Sequence, residues 1–274
     1  MASQSILFIY SEGLEYISTP KKPLKSSNIH YGISYISSFL QSQDYATDLL
    51  VLTRNTKKRI IATYIEELKP LLVCFTATTT EYYFISKIAR YIKSQYPNQF
   101  LLIGGVHASV APKQVIKDPF DALCIGEGEY PTLELVKQLE KGQRPSQIRN
   151  LWIKNGQKIE KNLNRPFIQD LDHLPFPDRD MWQKWVQSPN EWPFIILGKG
   201  CPFLCTYCCN HTLKNISSGK YVRLRSVENI LRELGEFNDK FPHCSQIHLE
   251  TESIGINLKF ALELCSELEK FNAQ

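Results

Sequence analysis

The sequence predicts an α/β protein in which a doubly wound parallel sheet forms the first half and a shorter series of strands and helices forms the second. Two observations predict this fold. Apolar segments of strand length alternate with segments of helical periodicity from residue 5 to residue 139, and the alternation resumes after residue 193. Such alternation is typical of parallel sheets that carry helices on both faces. The 274 residues, of which 43% are hydrophobic and 22% charged, provide for one large domain or two ordinary ones.

Nine segments of the first half justify this interpretation. Short apolar runs predict buried strands at residues 5–10, 48–52, 71–75, 100–103 and 122–125. Amphipathic segments predict helices at residues 32–41, 60–68, 84–92 and 131–139. The second helix illustrates the pattern, because Ile61, Ile65 and Leu68 recur at helical spacing and Pro70 ends the run.

The segments that follow the strands are small, polar and rich in glycine. They are residues 10–13, 76–80, 104–109 and 126–129. Glycine allows a backbone to approach a bulky ligand closely, and hydroxyl and backbone N–H groups at helix starts hold amides and phosphates. Any one of these motifs is ordinarily a turn. Because the carboxyl ends of parallel strands share one edge of the sheet, their order predicts a wide ligand lying across that edge.

Residues 143–192 connect the two halves. Asn155-Gly156 lies between two short strand-like segments, which predicts a β-hairpin with a type I′ turn. Five prolines follow in a polar run with scattered aromatic residues, a composition typical of a linker. We therefore expect no catalytic role for the charged residues of the segment L-D-H-L-P-F-P-D-R-D-M-W.

The most specific feature of the second half is a cysteine-rich loop. Cys201, Cys205 and Cys208 have C-x3-C-x2-C spacing and follow the apolar strand predicted at residues 194–197. A loop of this length allows three thiolates to point toward one position, and thiolates are the usual ligands of iron–sulfur clusters. Three thiolates on a four-iron cluster leave one iron free to hold another ligand. The spacing predicts a 4Fe-4S cluster, with Cys209 outside the ligand set.

Zinc is the alternative metal for this loop. Tetrahedral zinc takes four ligands, usually as two separated pairs, and Cys209 and His211 would extend the set to four or more. No second pair follows, because Cys244 and Cys265 stand alone. Four of the eight cysteines lie between residues 201 and 209. This clustering indicates a metal site in a reducing compartment, and hence a cytoplasmic protein, and disfavours a disulfide framework.

Three segments follow the loop. Ser226 is a plausible N-cap for an amphipathic helix at residues 227–237. The next strand, at residues 246–252, places Glu250 and Glu252 on the same face. A last amphipathic helix is predicted at residues 258–268.

The cysteine spacing, with Tyr207 before the last cysteine and a strand before the loop, resembles the radical S-adenosylmethionine (SAM) superfamily. The resemblance implies that the three cysteines hold the cluster, that its open iron chelates SAM, and that electron transfer cleaves SAM to a 5′-deoxyadenosyl radical. It also implies a (β/α) barrel whose second strand ends at the SAM amino group. Tyr207, Glu250 and Glu252 then become candidate SAM contacts, because a carboxylate suits an ammonium-like nitrogen.

The segments T-A-T-T-T, G-G-V-H-A-S and G-E-G-E-Y-P-T-L-E-L-V, in this order, are similar to the cobalamin-binding domain that precedes a radical SAM barrel. The resemblance implies a Rossmann-like cobalamin-binding domain at residues 1–142, a hairpin and linker at 143–192 and the barrel at 193–274. The implied cobalamin pocket is lined by Thr76, Ala77, Thr78, Thr79, Gly104, Gly105, Val106, His107, Gly126, Glu127, Gly128 and Glu129. The D-x-H-x-x-G motif, which places a histidine under cobalt, is absent and leaves the lower axial ligand open. His107 is a candidate contact, and hydrogen bonding within its own loop is the equal alternative.

The barrel is the largest departure from the family pattern. Such barrels have about six strand–helix units and only two are recognisable here, so we expect a fragment truncated within the barrel. Completion of the barrel by a partner chain is the alternative. The resemblance implies a cobalamin-dependent radical SAM enzyme, most commonly a methyltransferase acting on an unactivated centre, although cyclisations and rearrangements occur. The rivals are a non-catalytic module holding cobalamin or the cluster, and a flavodoxin-like or nucleotide-binding domain with a zinc loop.

Charge and hydropathy bear on the partners. A net charge of +4 without a long basic run does not favour nucleic acid. No apolar run approaches the roughly 20 residues that a membrane span needs, and the N-terminus lacks the basic region of a secretory signal. The family resemblance implies a small-molecule or natural-product substrate and an electron donor such as flavodoxin or ferredoxin.

Overall fold

The fold is that of a computed structural model, which describes residues 4–11, 29–53, 55–186, 193–242, 244 and 246–272. The predicted strand-end residues Glu12 and Gly13 lie outside these ranges. In the part of the chain that is described, no helix has both the length and the hydropathy that a membrane span requires.

A seven-stranded sheet forms the centre of the first half. Its first five strands are all parallel and correspond to the five predicted ones: β1 (Ser5–Ser11), β2 (Ala46–Leu52), β3 (Leu72–Thr76), β4 (Leu101–Gly104) and β5 (Ala122–Cys124). The strand order is β2-β1-β3-β4-β5-β6-β7. The order reverses beside β1, so crossover helices pack on both faces, and the predicted doubly wound sheet is confirmed.

The helices of the first half divide between the two faces of the sheet. They are α1 (Tyr31–Gln41), α2 (Lys58–Leu68), α3 (Tyr82–Gln95), α4 (Gly105–Val110), α5 (Pro112–Val115) and α6 (Glu129–Glu140). Helices α2, α3, α4 and α5 pack on one face of the sheet, in a core cluster that includes Ile61, Ile85 and Val115. The other joins α1 and α6 to the opposite face and includes Ile33 and Leu135. Each helix buries one stripe, as the periodicity predicts.

A β-hairpin extends the sheet on the β5 side. Strands β6 (Leu151–Asn155) and β7 (Lys158–Lys161) pair antiparallel, and β6 also pairs antiparallel with β5. The predicted hairpin is confirmed, but its turn is not the predicted type I′. Asn155 pairs with Lys158, so Gly156 and Gln157 form the tip, and only Gly156 of the two has a positive φ. A glycine with positive φ at the first tip position is the type II′ pattern.

The second half packs two short sheets beside the first domain. Strands β8 (Phe194–Ile196) and β11 (His248–Glu250) are parallel, and β9 (Gly198–Lys199) and β10 (Arg223–Leu224) are antiparallel. Its helices are α7 (Asn210–Leu213), α8 (Val227–Lys240) and α9 (Leu258–Asn272), and Ser226 caps α8 by accepting from the Asn229 N–H. The strand predicted at residues 246–252 is only three residues long, because its partner β8 offers only three paired residues.

A buried ion cluster joins this half to the linker. Glu233 of α8 pairs with Arg225 and, at 2.5 Å, with Arg179 of the linker segment. Arg179 also donates to the carbonyl of Phe194 at 2.9 Å, and the Tyr31 hydroxyl of α1 donates to the same carbonyl at 2.6 Å. Arg225 is 4% exposed and Glu233 is 1% exposed. The linker arginine therefore has a structural role between the two halves.

Candidate functional site

A cavity of about 220 Å³ opens at the carboxyl edge of the parallel strands. Apolar side chains of β1, α1 and β4, namely Phe8, Ile33 and Leu102, form part of its walls. Seven of the residues predicted to line a cobalamin pocket line this cavity: Thr76, Gly104, Gly105, Gly126, Glu127, Gly128 and Glu129. Thr76 ends β3 and Gly104 ends β4, and residues 126–129 follow β5. The sheet topology thus brings three separated glycine-rich or polar segments to one place.

The other five predicted pocket residues do not line the cavity. They are Ala77, Thr78, Thr79, Val106 and His107. Thr78 forms hydrogen bonds within its own loop, from its backbone N–H to Glu81 Oε2 at 2.9 Å and with the Thr80 hydroxyl at 3.0 Å. Val106 is 40% exposed at the start of α4. Thr78, Thr79 and Val106 are exposed and form the outer rim of the same sheet edge, whereas Ala77 is buried in the core.

His107 is buried beneath this rim. Its Nδ1 lies 3.1 Å from Thr79 Oγ1, and its ring packs on Tyr82 with centroids 4.2 Å apart. Its Nε2 is buried without a hydrogen-bond partner among the described residues. Burial lowers the pKa of His107, so that the neutral ring is favoured at neutral pH. The hydrogen bond to Thr79 joins His107 to the segment that follows β3 and not to its own loop.

His30 is a cavity residue that the sequence reasoning missed. It is the N-cap of α1, where Nδ1 accepts from the Ile33 N–H at 3.2 Å, and its Nε2 lies 3.4 Å from Thr76 Oγ1. Burial lowers its pKa. A neutral ring that accepts at Nδ1 carries its proton on Nε2, so His30 presents an N–H donor beside Thr76. Helix periodicity begins only after this residue, and histidine is not among the usual N-cap residues, so the pattern carries no signal for it.

Gly105 is required by its backbone conformation and its surroundings. Its φ is +87°, and a Cβ at this position would overlap Thr76 Oγ1 and lie 3.1 Å from the Ala77 backbone nitrogen. The close approach lets the chain pass from β4 into α4 while leaving the cavity open. Gly142 offers a comparison, since its φ is +64° and no heavy atom lies within 4 Å of a Cβ built on it.

We expect Gly105→Ala to lower the free energy of unfolding by about 1–3 kcal/mol more than Gly142→Ala. Both variants place alanine in the left-handed region, which costs about 1–2 kcal/mol, but only the first adds steric overlap in a packed site. Urea unfolding of the two variants and the wild type measures the difference. Equal destabilisation would show that Thr76 and Ala77 move aside without cost.

Glu127 and Glu129 bind two cations of the second half. Lys199 Nζ lies 2.9 Å from Glu129 Oε1, and Arg223 Nη1 lies 2.7 Å from Glu127 Oε1. Lys199 and Arg223 are opposite each other in the β9–β10 pair. Burial is the largest single influence and opposes ionisation of Glu129, but the charge and hydrogen bond of Lys199, a backbone hydrogen bond and the charge of Arg223 together lower the pKa of this carboxyl below its usual value. Glu129 is therefore an ionised carboxylate at neutral pH.

The cysteine loop begins two residues after Lys199. Cys201 is buried, Cys208 is half-buried and Cys205 is exposed, and the Cys208 N–H donates to the Cys205 carbonyl at 3.0 Å. Gly200, with a φ of +90°, packs so closely on the Tyr221 backbone that a side chain would not fit. Among the residues with described positions, no three His, Cys, Asp or Glu side chains are arranged to hold a metal ion. Thiol groups gain nothing by converging without a metal, so a metal-binding cysteine loop reaches its final ligand geometry only when the metal binds.

The remaining predicted residues lie around this loop. Burial, followed by the charges of Cys209 and Glu252, raises the pKa of Tyr221 to about 12. Glu252 lies two residues beyond the end of β11, and its charge contributes to raising the pKa values of Cys209 and Tyr221. The Glu250 carbonyl accepts from the Leu197 N–H at 2.8 Å, while its side chain is exposed. Tyr207 is 92% exposed.

Comparison with known families identifies the first half. Residues 24–136 match the family described as "B12 binding domain". We call residues 24–136 the B12-binding domain after the family that they match. This match includes all twelve residues predicted to contact cobalamin and every residue that lines the cavity except Phe8 and Lys199.

Similarity to known proteins extends beyond the B12-binding domain. The chain is 27% identical over 243 residues to the uncharacterized methyltransferase PH0819 of Pyrococcus horikoshii. The aligned region covers 87% of this chain and 52% of the relative. The chain thus spans about half the length of this curated relative.

Two solved structures show the same fold. One is the radical SAM methyltransferase TsrM from Kitasatospora setae with cobalamin and a [4Fe-4S] cluster bound (TM-score 0.71, 15% identity, 99% of this chain and 52% of that chain). The other is the cobalamin-dependent SAM radical enzyme OxsB with aqua-cobalamin and SAM bound (TM-score 0.74, 18% identity, 98% and 37%). The B12-binding domain of this chain is therefore followed by strands and helices arranged as in these two structures.

Proposed function

We propose that the chain is the cofactor-binding part of a cobalamin-dependent radical SAM enzyme, a methyltransferase that acts on an unactivated centre. The observation that carries the proposal is the position of Lys199. This residue lines the cavity of the B12-binding domain and precedes Cys201 by two residues. A cobalamin at the sheet edge and a cluster at the cysteine loop would therefore be neighbours, as radical methyl transfer requires.

The residues at the sheet edge fit a large ligand that enters the cavity in part. Ligand pockets commonly have volumes of about 300–1,000 Å³, and the cavity is smaller, at about 220 Å³. A corrinoid would insert one portion between the apolar walls and spread the remainder over the rim. Thr76, Gly104, Gly105 and the segment 126–129 would hold the inserted portion, and Ala77, Thr78, Thr79, Val106 and His107 would lie under the rest.

The residues of the cysteine loop fit an iron–sulfur cluster by their donor chemistry. Cys201, Cys205 and Cys208 would supply three thiolates to a 4Fe-4S cluster and leave one iron for SAM. When bound, the cluster and SAM supply a 5′-deoxyadenosyl radical, and cobalamin supplies a methyl group. The role of the chain is to hold these groups side by side and to orient SAM.

Two acidic residues at the end of β11 are the proposed contacts of the SAM amino group. Glu252 is the stronger candidate because its charge acts on Cys209 of the cysteine loop and on Tyr221. Glu250 ends the strand next to Ile196 of β8. A carboxylate forms charge-assisted hydrogen bonds with an ammonium group. Tyr207, which is exposed on the loop, would pack against SAM.

The proposal extends to the partners of the enzyme. The substrate is a small molecule or natural product, and a flavodoxin or ferredoxin supplies the electron. All eight cysteines are free thiols, which supports a reducing compartment such as the cytoplasm. The relative and both solved structures carry names of enzymes, which favours the enzyme over a non-catalytic cobalamin- or cluster-holding module.

The test is anaerobic purification of the chain, reconstitution with iron and sulfide, and incubation with hydroxocobalamin before gel filtration. We expect about four iron atoms per chain, as a 4Fe-4S cluster contains, and about one cobalt, together with the visible absorbance of both cofactors. Zinc without iron or cobalt would contradict the proposal and support the zinc-loop alternative. Cobalt without iron would leave only the B12-binding domain in place.

A further inference from the structure

We propose that Glu129 recognises a carboxamide group of the bound corrinoid through Oε2 while its Oε1 holds Lys199 at the start of the cysteine loop. This inference rests on the proposed cobalamin binding and adds a specific contact to it. It makes Glu129 both a ligand-recognition residue and a direct link between the two cofactor sites.

The two oxygens of Glu129 have different surroundings. Glu129 is the first residue of α6, lines the cavity and is 3% exposed. Oε1 accepts from Lys199 Nζ at 2.9 Å. Oε2 is buried without a hydrogen-bond partner among the described residues. Buried polar atoms of native proteins nearly always have a partner, so an unpaired carboxylate oxygen beside a cavity indicates a donor that comes with the ligand.

Glu127 shows that the unpaired oxygen is specific to Glu129. Glu127 also lines the cavity and also follows β5, yet both of its oxygens are used. Oε1 accepts from Arg223 Nη1 at 2.7 Å, and Oε2 accepts from the Ile168 N–H at 2.7 Å. Of the two carboxylates at this edge, only Glu129 has an acceptor left for a ligand.

The chemistry of the cavity selects the kind of donor. An ionised carboxylate only accepts hydrogen bonds, so the ligand must provide an N–H or O–H. Lys199 already balances the charge of Glu129, so a neutral donor is favoured over a second cation. The periphery of a corrinoid carries primary carboxamides, which are neutral N–H donors. A carboxylate in place of the carboxamide would meet Glu129 with like charge.

The position of Lys199 gives the contact a consequence for the second site. Lys199 pairs with Arg223 across the β9–β10 ladder and is followed by Gly200 and Cys201. Glu129 therefore fixes the strand from which the cysteine loop departs. A ligand that orders the Glu129 side chain also orders the start of that loop.

The first experiment measures cobalamin binding to the full chain by absorbance titration, for the wild type, Glu129→Gln and Glu134→Gln. The glutamine side chain keeps an oxygen that accepts from Lys199, but it places an NH2 group where the carboxylate accepts from the ligand. Two donors then face each other, so we expect the Kd of Glu129→Gln for cobalamin to be ten- to a hundredfold higher than that of the wild type. Glu134 lies on the same helix and pairs with Arg165 outside the cavity, so Glu134→Gln should change the Kd less than twofold. Circular dichroism of the three proteins confirms that they are folded.

The second experiment needs only the wild-type chain and replaces the ligand group. The b-, d- and e-monocarboxylic acids of cyanocobalamin each change one carboxamide to a carboxylate. We expect one of them to bind at least tenfold more weakly than cyanocobalamin. The proposed Glu129 contact is wrong if Glu129→Gln binds cobalamin as tightly as the wild type and the three acids bind as tightly as cyanocobalamin. In that case the proposal that the chain binds cobalamin still stands. If the wild type binds no cobalamin, the proposed function itself fails.

Discussion

Replacing Cys205 by alanine should abolish the iron–sulfur cluster, lowering the iron content of the reconstituted chain from about four atoms to less than about one. A cluster held by three thiolates has no spare protein ligand, so the loss of one leaves two iron atoms without protein attachment. Cys201→Ala and Cys208→Ala should have the same effect. Iron and sulfide analysis with the visible spectrum measures the loss, and SAM cleavage should disappear with the cluster.

Two other cysteines are matched controls for this prediction. Cys209 is adjacent to Cys208 in the same loop, and Cys265 is exposed on α9. Cys209→Ala and Cys265→Ala should retain the full iron content. An unchanged cluster in Cys205→Ala, or loss of the cluster in Cys209→Ala, would contradict the assignment of the three ligands. Loss of a bound metal in His211→Ala would instead support a zinc site built from this loop.

The sequence predicted the parallel sheet well because its strands are buried on both faces. Such strands read as continuous apolar runs, and Leu101 to Ile103 and Leu72 to Phe75 are examples in which every side chain is buried. The hairpin was located by Asn155-Gly156, but its turn was placed one residue too early. The pairing of Asn155 with Lys158 moves glycine to the first tip position, and local sequence does not determine such a register.

The partners of the polar residues could not be predicted in the same way. Glu127 and Glu129 were located at the sheet edge, but their cations lie about 70 to 96 residues further along the chain. Arg223 and Arg225 alternate with apolar residues in a manner typical of an exposed strand. Both are buried, because each meets a carboxylate from another element. Long-range pairing of charges leaves no periodic signal in a single sequence.

Replacing Glu233 by alanine should lower the free energy of unfolding by about 3–5 kcal/mol, because it leaves two buried guanidinium groups without their counter-charge. Glu233 pairs with Arg179 and Arg225, and these three side chains are 2%, 11% and 3% exposed, in that order. Guanidinium chloride unfolding measures the change as a shift in midpoint. Glu236→Ala is the matched control: Glu236 is exposed one turn further along α8 and should change stability by less than about 0.5 kcal/mol.

The double variant Glu233→Ala with Arg179→Ala distinguishes the ion cluster from simple packing. In Glu233→Ala, Arg179 is left as a buried charge without a partner. If this unpaired charge causes much of the loss of stability, the two single-variant losses in free energy of unfolding should be far from additive, and the double variant should be more stable than their sum predicts. Additive losses would show that Glu233 acts through Arg225 alone. Because Arg179 lies in the linker and also donates to the Phe194 carbonyl of β8, a large coupling would mean that this cluster sets how the cysteine-loop half sits on the B12-binding domain. Weakening this group of buried ion pairs should then raise the Kd for cobalamin as well as lower the stability of the protein. The reason is that Lys199 of the second half lines the cavity of the first, so it reaches the cavity only when the two halves are correctly placed.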